Sequence, residues 1–261
     1  MKLIASLEKL ARQNICLYYW GRLIFFWWCY FFRVSHEPEF MVLSWMPERS
    51  GEILDVGAND GISAISIRTL NRTNPILSLE PNRIQERRLR WLSGRLTNFS
   101  FKIVAAGEEP GLRTLYTPVY KGFALTSLAS LSAKSAGDLV GRGMFCDSFD
   151  REQLRIESQT IRVIRVDDLK LNPILVKIDT EGGELSALKG MEETLRRSRP
   201  ALIVESERLE ETETVKFLTD LDYDVVDAEQ VRSQQSISSF PSKYGIHVFW
   251  PRELPLKQLK N

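Results

Sequence analysis

Cysteine is scarce in this chain. Cys16, Cys29 and Cys146 are an odd number without a C-x-x-C pair, which argues against a disulfide framework or a zinc knuckle and leaves reduced thiols, as in a cytoplasmic protein. An excess of one charge is also missing: 35 Lys and Arg stand against 34 Asp and Glu, a formal net charge of +1. Nothing in that balance favours nucleic acid as a partner. The uninterrupted apolar run Leu23 to Phe32 spans ten residues, whereas a spanning helix needs about twenty. No small-residue cleavage site follows it, so a cleaved signal peptide is not indicated. The last absence is a glycine. A dinucleotide-binding turn reads G-x-G-x-x-G, but here Asn59 stands where the middle glycine would be, within Gly57-Ala58-Asn59-Asp60-Gly61.

What is present around that turn has the form of a strand feeding a helix. Ile53, Leu54 and Val56 are apolar and largely branched, as in a buried strand, and Gly57 and Gly61 permit a tight backbone and close approach of a ligand. Asp55 sets a carboxylate just before the turn, which suits an amino or sulfonium-type cation better than a diphosphate. The next strand pattern, Pro75 to Leu79, ends in Glu80, nineteen residues beyond Gly61. An acid at that distance, on the tip of the adjacent strand, is placed to bond both hydroxyls of a ribose. A chain of 261 residues accommodates one sizeable core with an appendage.

Six stretches together resemble the FkbM-type S-adenosylmethionine-dependent methyltransferases, from about Gly51 to Pro251. They are Leu54-Asp55-Val56-Gly57-Ala58-Asn59-Asp60-Gly61, Leu79-Glu80-Pro81, Val166-Asp167-Asp168-Leu169, Val176-Lys177-Ile178-Asp179-Thr180-Glu181-Gly182-Gly183-Glu184, Leu188-Lys189-Gly190 and Pro200-Ala201-Leu202-Ile203-Val204-Glu205. The first two occur across many methyltransferases, whereas the Lys177 to Glu184 block followed by Leu-Lys-Gly is more particular to this family. Arg165-Val166 stands where the family often has Thr-Leu, and Gly183 where it often has alanine. The resemblance implies a Rossmann-like class I methyltransferase fold. That is an α/β, doubly wound, mostly parallel seven-stranded sheet, with an insertion between strands 3 and 4 and an aromatic-rich helical arm before it. It also implies methylation of an oxygen, on a hydroxyl of a sugar, glycan or secondary metabolite.

On this reading Asp55, Gly57, Ala58, Asn59, Gly61 and Glu80 bind the cofactor, while Asp179 and Glu181 serve the transfer. Methyl transfer from a sulfonium is an in-line displacement, and a carboxylate with a raised pKa can take the hydroxyl proton. Asp167, Asp179, Glu181 and Glu205 form an acidic set suited to that task. The same set is oxygen-rich enough for magnesium, although no metal ligand is assigned. Ala105-Ala106-Gly107, closing a third strand expected over residues 98–107, leaves room for an adenine ring. Between Gly107 and Pro173 two strands are expected, Leu112 to Thr117 and Ile161 to Val166. The stretch Thr126-Ser127-Leu128-Ala129-Ser130-Leu131 resembles one the family carries near its active site. One helix is expected over Glu184 to Arg197, one over Asn82 to Leu96, and a closing antiparallel pair at Tyr223 to Val226 and Gly245 to Trp250. His36 and His247 read as ordinary groups.

The N-terminal 47 residues stand apart as an arm. Met1 to Arg12 has the rhythm of an amphipathic helix, and ten of residues 15–33 are aromatic. Arg22 and Arg33 are eleven apart, nearly on one helical face, so both suit headgroup level on a membrane while Trp and Tyr occupy the interface. Two expectations follow for residues 15–33: peripheral contact with the inner face of a membrane, or cover for the catalytic domain or a twin subunit. Residues 35–47 read as a linker. Two rival functions remain open: a nicotinamide-dependent oxidoreductase on a similar sheet, and a membrane-attached interaction protein with an inactive domain.

Overall fold

The computed structural model describes residues 14–143, 149–205, 213–226 and 246–254; the expected helix Met1 to Arg12 and Cys146 lie outside them. The described strands, in chain order, are β1 (Ile53–Val56), β2 (Ile76–Leu79), β3 (Phe99–Lys102), β4 (Ala105–Ala106), β5 (Gly111–Tyr120), β6 (Phe123–Ala124), β7 (Leu154–Ile164), β8 (Leu175–Ile178), β9 (Ala201–Glu205), β10 (Tyr223–Val226) and β11 (Ile246–Pro251). Seven of them form the main sheet in the order β10-β11-β9-β8-β1-β2-β3. β3, β2, β1, β8 and β9 run parallel, and β11 is antiparallel to both β9 and β10. This is the doubly wound, mostly parallel α/β sheet expected, with its closing antiparallel pair.

β1 shows why the sheet is covered on both faces. All four of its residues are buried, as parallel strands with helices on either side require. Ile53 faces a cluster with Phe26, Phe40, Ile65 and Ile67. Leu54 and Val56 face the other, with Leu188, Leu195 and Leu218. Chain order reverses between β1 and β8, so a crevice opens beyond their carboxyl ends, where ligands of such sheets bind.

The insertion between β3 and β8 is a second sheet of order β4-β7-β5-β6. Its two long strands pair from Gly111↔Val163 to Tyr120↔Leu154, running past the expected Thr117 and starting before the expected Ile161, and β6 and the helix Ala133–Gly143 lie between them in the chain. The third strand is shorter than expected. It ends at Lys102, and Ala105-Ala106 instead pairs with Val163 and Ile164 of the second sheet. Two small side chains let the backbone change sheets there, and Gly107 N–H continues the ladder to the Ile164 carbonyl at 3.0 Å.

The single helix expected over Glu184 to Arg197 is broken into Glu184–Lys189 and Glu192–Ser198. At the break the Gly190 carbonyl accepts from Asp167 N–H at 3.1 Å. A Cβ on Gly190 would stand 2.1 Å from the Gly107 carbonyl oxygen, so the two chain segments touch backbone to backbone. The helix expected from Asn82 is a 3-10 turn, Arg83–Gln85, leading into Glu86–Ser93.

The arm helix runs Ile15–Phe32, capped by the Asn14 side chain and ended by Arg33 at φ 52°. Phe26 and Cys29 join the core cluster with Ile65 and Ile67, and each fully buried phenylalanine contributes about 2–3 kcal/mol. Residues 35–47, expected as a linker, hold the turn Pro38–Met41 and the helix Val42–Trp45. Phe40, Val42, Leu43, Trp45 and Met46 are buried in the same cluster. Among the described residues no helix is long and apolar enough to cross a membrane.

Candidate functional site

A cavity of about 470 Å³ lies beyond the ends of β1 and β8, within the ~300–1,000 Å³ usual for small-molecule sites. Its floor is the turn after β1. Gly57, at φ +79°, would place a Cβ 1.6 Å from the Asp179 carbonyl oxygen, so glycine is required because the tips of β1 and β8 meet there. Gly61 stands at φ +85° with Leu92 Cδ1 2.4 Å from an added Cβ. In both cases protein atoms occupy the space that the missing side chain leaves.

Asn59 is held in the left-handed region at φ 46°. Its N–H donates to Glu80 Oε2 at 2.7 Å, and its Oδ1 accepts from Gln85 Nε2 at 2.6 Å and Thr126 Oγ1 at 3.0 Å. The turn is thereby tied both to the tip of β2 and to the insertion. Glu80 is 6% exposed and lines the cavity. Its second oxygen accepts from Asn82 N–H at 2.7 Å. Burial pushes its carboxyl up to about 7, against the two backbone N–H donors and Lys177, which favour the charged form.

Asp55 is buried and does not line the cavity. Its Oδ2 accepts from Ser63 Oγ and Ser78 Oγ, both at 2.7 Å, and Lys177 Nζ is 3.9 Å from Oδ1. Lys177 also donates to the Gly57 carbonyl at 3.1 Å and to Asp179 Oδ2 at 2.8 Å. Burial opposes its charge, but Asp179 and Asp55 outweigh burial and hold the ammonium above its ordinary range. Asp55 therefore acts on the site from behind, through Lys177.

Asp179, Glu181 and Glu205 gather at the far wall. Burial alone would raise Asp179, but Lys177 and a hydrogen bond with Glu205 keep it low. Glu205 goes the other way, pushed up to about 9 by burial and by the Asp179 charge. The two carboxyls thus share one proton at neutral pH, with Glu205 the more basic partner. Glu181 is exposed on the following turn at φ 53°. That turn is shaped by Glu184, whose Oε1 accepts from Thr180 N–H and Oγ1 and from Gly182 N–H at 2.9–3.0 Å. Asp167 is not part of the set. Its Oδ1 accepts from Thr194 N–H and Oγ1 at 2.8 Å, so it caps the helix Glu192–Ser198. Among the described residues no group of three or more His, Cys, Asp or Glu could hold a metal ion.

The insertion and the arm complete the walls. Thr126, Ser127, Ala129 and Leu131 line the cavity, as do Ala105 and Ala106 beside Leu79, Leu115 and Ile161. Tyr18, Arg22 and Phe25 line it from the arm. Arg22 Nη2 is 3.5 Å from Asp60 Oδ2, which Arg88 Nη1 approaches at 3.3 Å. Asp60 is 4% exposed, so an arm residue balances a buried charge of the ligand turn. Arg22→Met is expected to remove about 1 kcal/mol of stability, lowering the melting temperature by about 3 °C. An unchanged calorimetric melting temperature would show that Arg88 suffices. His36, read as an ordinary group, lines the cavity too, its Nδ1 2.7 Å from Ser66 Oγ. His247 is buried in β11 and does not reach the cavity.

Of the residues singled out by the sequence, Gly57, Ala58, Asn59, Glu80, Asp179 and Glu181 line one cavity, whereas Asp55 and Gly61 support it from outside. Sequence reasoning gave no role to Lys177, Gln85 or Asp60, and it placed Arg22 at headgroup level rather than at the cavity. Arg22, an arginine inside an aromatic run, was the one visible signal. The donor set fits a sulfonium nucleoside. A buried carboxylate for hydroxyls stands at the tip of β2, and small and branched side chains make an apolar slot. Six carboxyl groups line the cavity against Arg22, Lys177 and His36, which favours a cation over a diphosphate.

The family described as "Methyltransferase FkbM domain" matches residues 55–229, about two thirds of the chain. No curated protein matches it. Among solved structures it is similar to methyltransferase FkbM from Methylobacillus flagellatus KT, at 17% identity and TM-score 0.47, covering 82% of this chain and 50% of that one. The chain thus spans about half the length of that protein. Precorrin-6y C5,15-methyltransferase from Geobacter metallireducens GS-15 is similar at 15% identity and TM-score 0.42, covering 83% and 90%. The C-terminal domain of the Rhodobacter capsulatus precorrin-6Y enzyme follows at 11% and 0.38, covering 85% and 94%.

Proposed function

Because the chain belongs to the FkbM methyltransferase family, we propose that it uses S-adenosylmethionine to methylate an oxygen, a hydroxyl of a sugar, a glycan or a secondary metabolite. The single observation that carries the reading is one cavity with the buried Glu80 carboxylate at one wall and the Asp179–Glu205 pair at the other. The bound cofactor supplies an electrophilic methyl group on a sulfonium. Glu80 accepts from the ribose hydroxyls. Ala105, Ala106, Leu115 and Ile161 cover the base and exclude water. Asn59 and Ala58 present the turn that fixes the nucleoside. The family assignment leaves no support for the nicotinamide-dependent rival.

At the far wall, Asp179 stays ionised against Lys177 and takes the hydrogen bond of the acceptor hydroxyl, orienting its oxygen. The proton released on transfer is passed on to solvent through that carboxylate, which Lys177 and Glu205 keep ionised. Glu205 keeps its own proton up to about pH 9, so a second base becomes available only as pH rises through that value. The rate of methyl transfer is therefore expected to climb toward about pH 9, and Glu205→Gln to flatten the climb and lower kcat about tenfold. The readout is S-adenosylhomocysteine release with a hydroxyl acceptor chosen by screening saccharides. A wild-type profile already flat across this range would refute the assignment of Glu205.

A further inference from the structure

The arm helix is amphipathic in the wrong sense for a free surface helix. At 100° per residue, Leu17, Trp20, Ile24, Trp28 and Phe31 fall within about 80° of arc. They are 48, 58, 65, 52 and 69% exposed. Its only charge, Arg22, lies on the opposite flank and turns inward to Asp60. Solvent-facing flanks of helices are normally polar, so an outward stripe of five large apolar side chains marks an interaction surface.

Three occupants compete for the stripe: a bilayer, a second copy of the chain, and the chain's own first thirteen residues. Charge separates them: residues 1–13 carry Lys2, Lys9 and Arg12 against Glu8 and would add like charge beside the arginines of the neighbouring helix. The helix Glu86–Ser93 packs beside the arm through Trp91, whose ring lies 5.1 Å from those of Trp27 and Tyr30. Residues 83–95 carry five arginines and one glutamate, and Arg83, Arg87, Arg90 and Arg95 are exposed. Arg87 and the 51% exposed Ile84 rim a groove of about 710 Å³ between the two helices. A second copy stacked on this face would bring two sets of like charge together, whereas anionic headgroups complement them. The aromatic content points the same way, because Trp and Tyr favour the headgroup boundary. With 18 residues the helix is about 27 Å long, and it does not meet the requirements for crossing a membrane.

We infer that the outward face of helix Ile15–Phe32 lies in the headgroup region of an anionic phospholipid bilayer, flanked by the arginines of the neighbouring helix. This docking is independent of the reaction proposed for the cavity, and its test reads binding alone. The full chain is sedimented with vesicles of phosphatidylcholine and phosphatidylserine, and with phosphatidylcholine alone.

Binding is expected to be about tenfold stronger to the anionic vesicles and to weaken with added salt. Trp20→Ser, Ile24→Ser and Trp28→Ser combined are expected to lower it about tenfold or more. These three side chains do not line the cavity, so retained S-adenosylhomocysteine binding or an unchanged melting temperature certifies the fold. Arg83→Ala with Arg87→Ala is a second variant, expected to narrow the difference between the two vesicle types. Failure to sediment with either vesicle overturns the inference, as does equal binding to both. So does a dimer in analytical ultracentrifugation that the triple variant dissolves, since the stripe would then belong to a second copy.

Discussion

Exchange of Glu80 for glutamine is expected to weaken S-adenosylhomocysteine binding about a hundredfold, measured by calorimetric titration. Each Glu80 oxygen already accepts one backbone N–H, from Asn59 and from Asn82, at 2.7 Å. The carboxylate is thus fixed in place with acceptor capacity left on both oxygens for the two ribose hydroxyls. Glutamine removes the charge and one acceptor. Hydrogen bonds to a charged group contribute about 1.5–3 kcal/mol each, and about 2.7 kcal/mol is a factor of a hundred.

The same residue gives a pH signature. Its carboxyl is raised from 4.5 to about 7, so it is neutral below that value and loses its charge-assisted acceptance. Wild-type affinity should fall as pH drops through about 7, and the glutamine variant should show no such fall. For the unliganded fold the sign is the reverse of the usual carboxylate. The contribution of Glu80 to stability is fully present below its ordinary value and is lost as pH rises through about 7. Equal affinities of variant and wild type at both ends of this range would remove the ribose assignment.

The second large effect concerns Lys177. Lys177→Met is expected to lower the melting temperature by roughly 10 °C, in scanning calorimetry at neutral pH. The ammonium is 6% exposed and faces Asp55 at 3.9 Å, Asp179 at 2.8 Å and the Gly57 carbonyl at 3.1 Å. Removing it strands the fully buried Asp55 carboxylate and takes the cation from Asp179, which is 30% exposed, and breaking a buried pair from one side costs about 3–5 kcal/mol. Adding Asp179→Asn to Lys177→Met should restore part of the loss, because one of the stranded charges goes with it. If the single variant melts with the wild type, the ammonium is not what holds the tips of β1 and β8 together.

These two residues differ in how far the sequence revealed them. Glu80 was legible because its signal is local: an apolar strand pattern, an acid at its end, and a proline after it. Lys177 looked like one more residue in a strand, and its importance comes from partners 122 residues earlier and 2 residues later. Asp55 shows the converse. Its place at a strand end suggested contact with a cationic ligand, but the pleat turns it toward Ser63, Ser78 and Lys177. Arg22 was expected at headgroup level with Arg33, yet it points to Asp60. The acids split for the same reason: Asp179, Glu181 and Glu205 meet at one wall, while Asp167 caps a helix.

Strand β1, the turn after it and the acid closing β2 were determined by sequence alone, since strand period, turn residues and proline act over a few neighbouring positions. Which side chains face the cavity, where the third strand changes sheets and which flank of the arm looks outward were decided only by the tertiary structure. Each of these depends on a buried charge or backbone group finding its partner across the fold, and that distance leaves no mark in a local pattern.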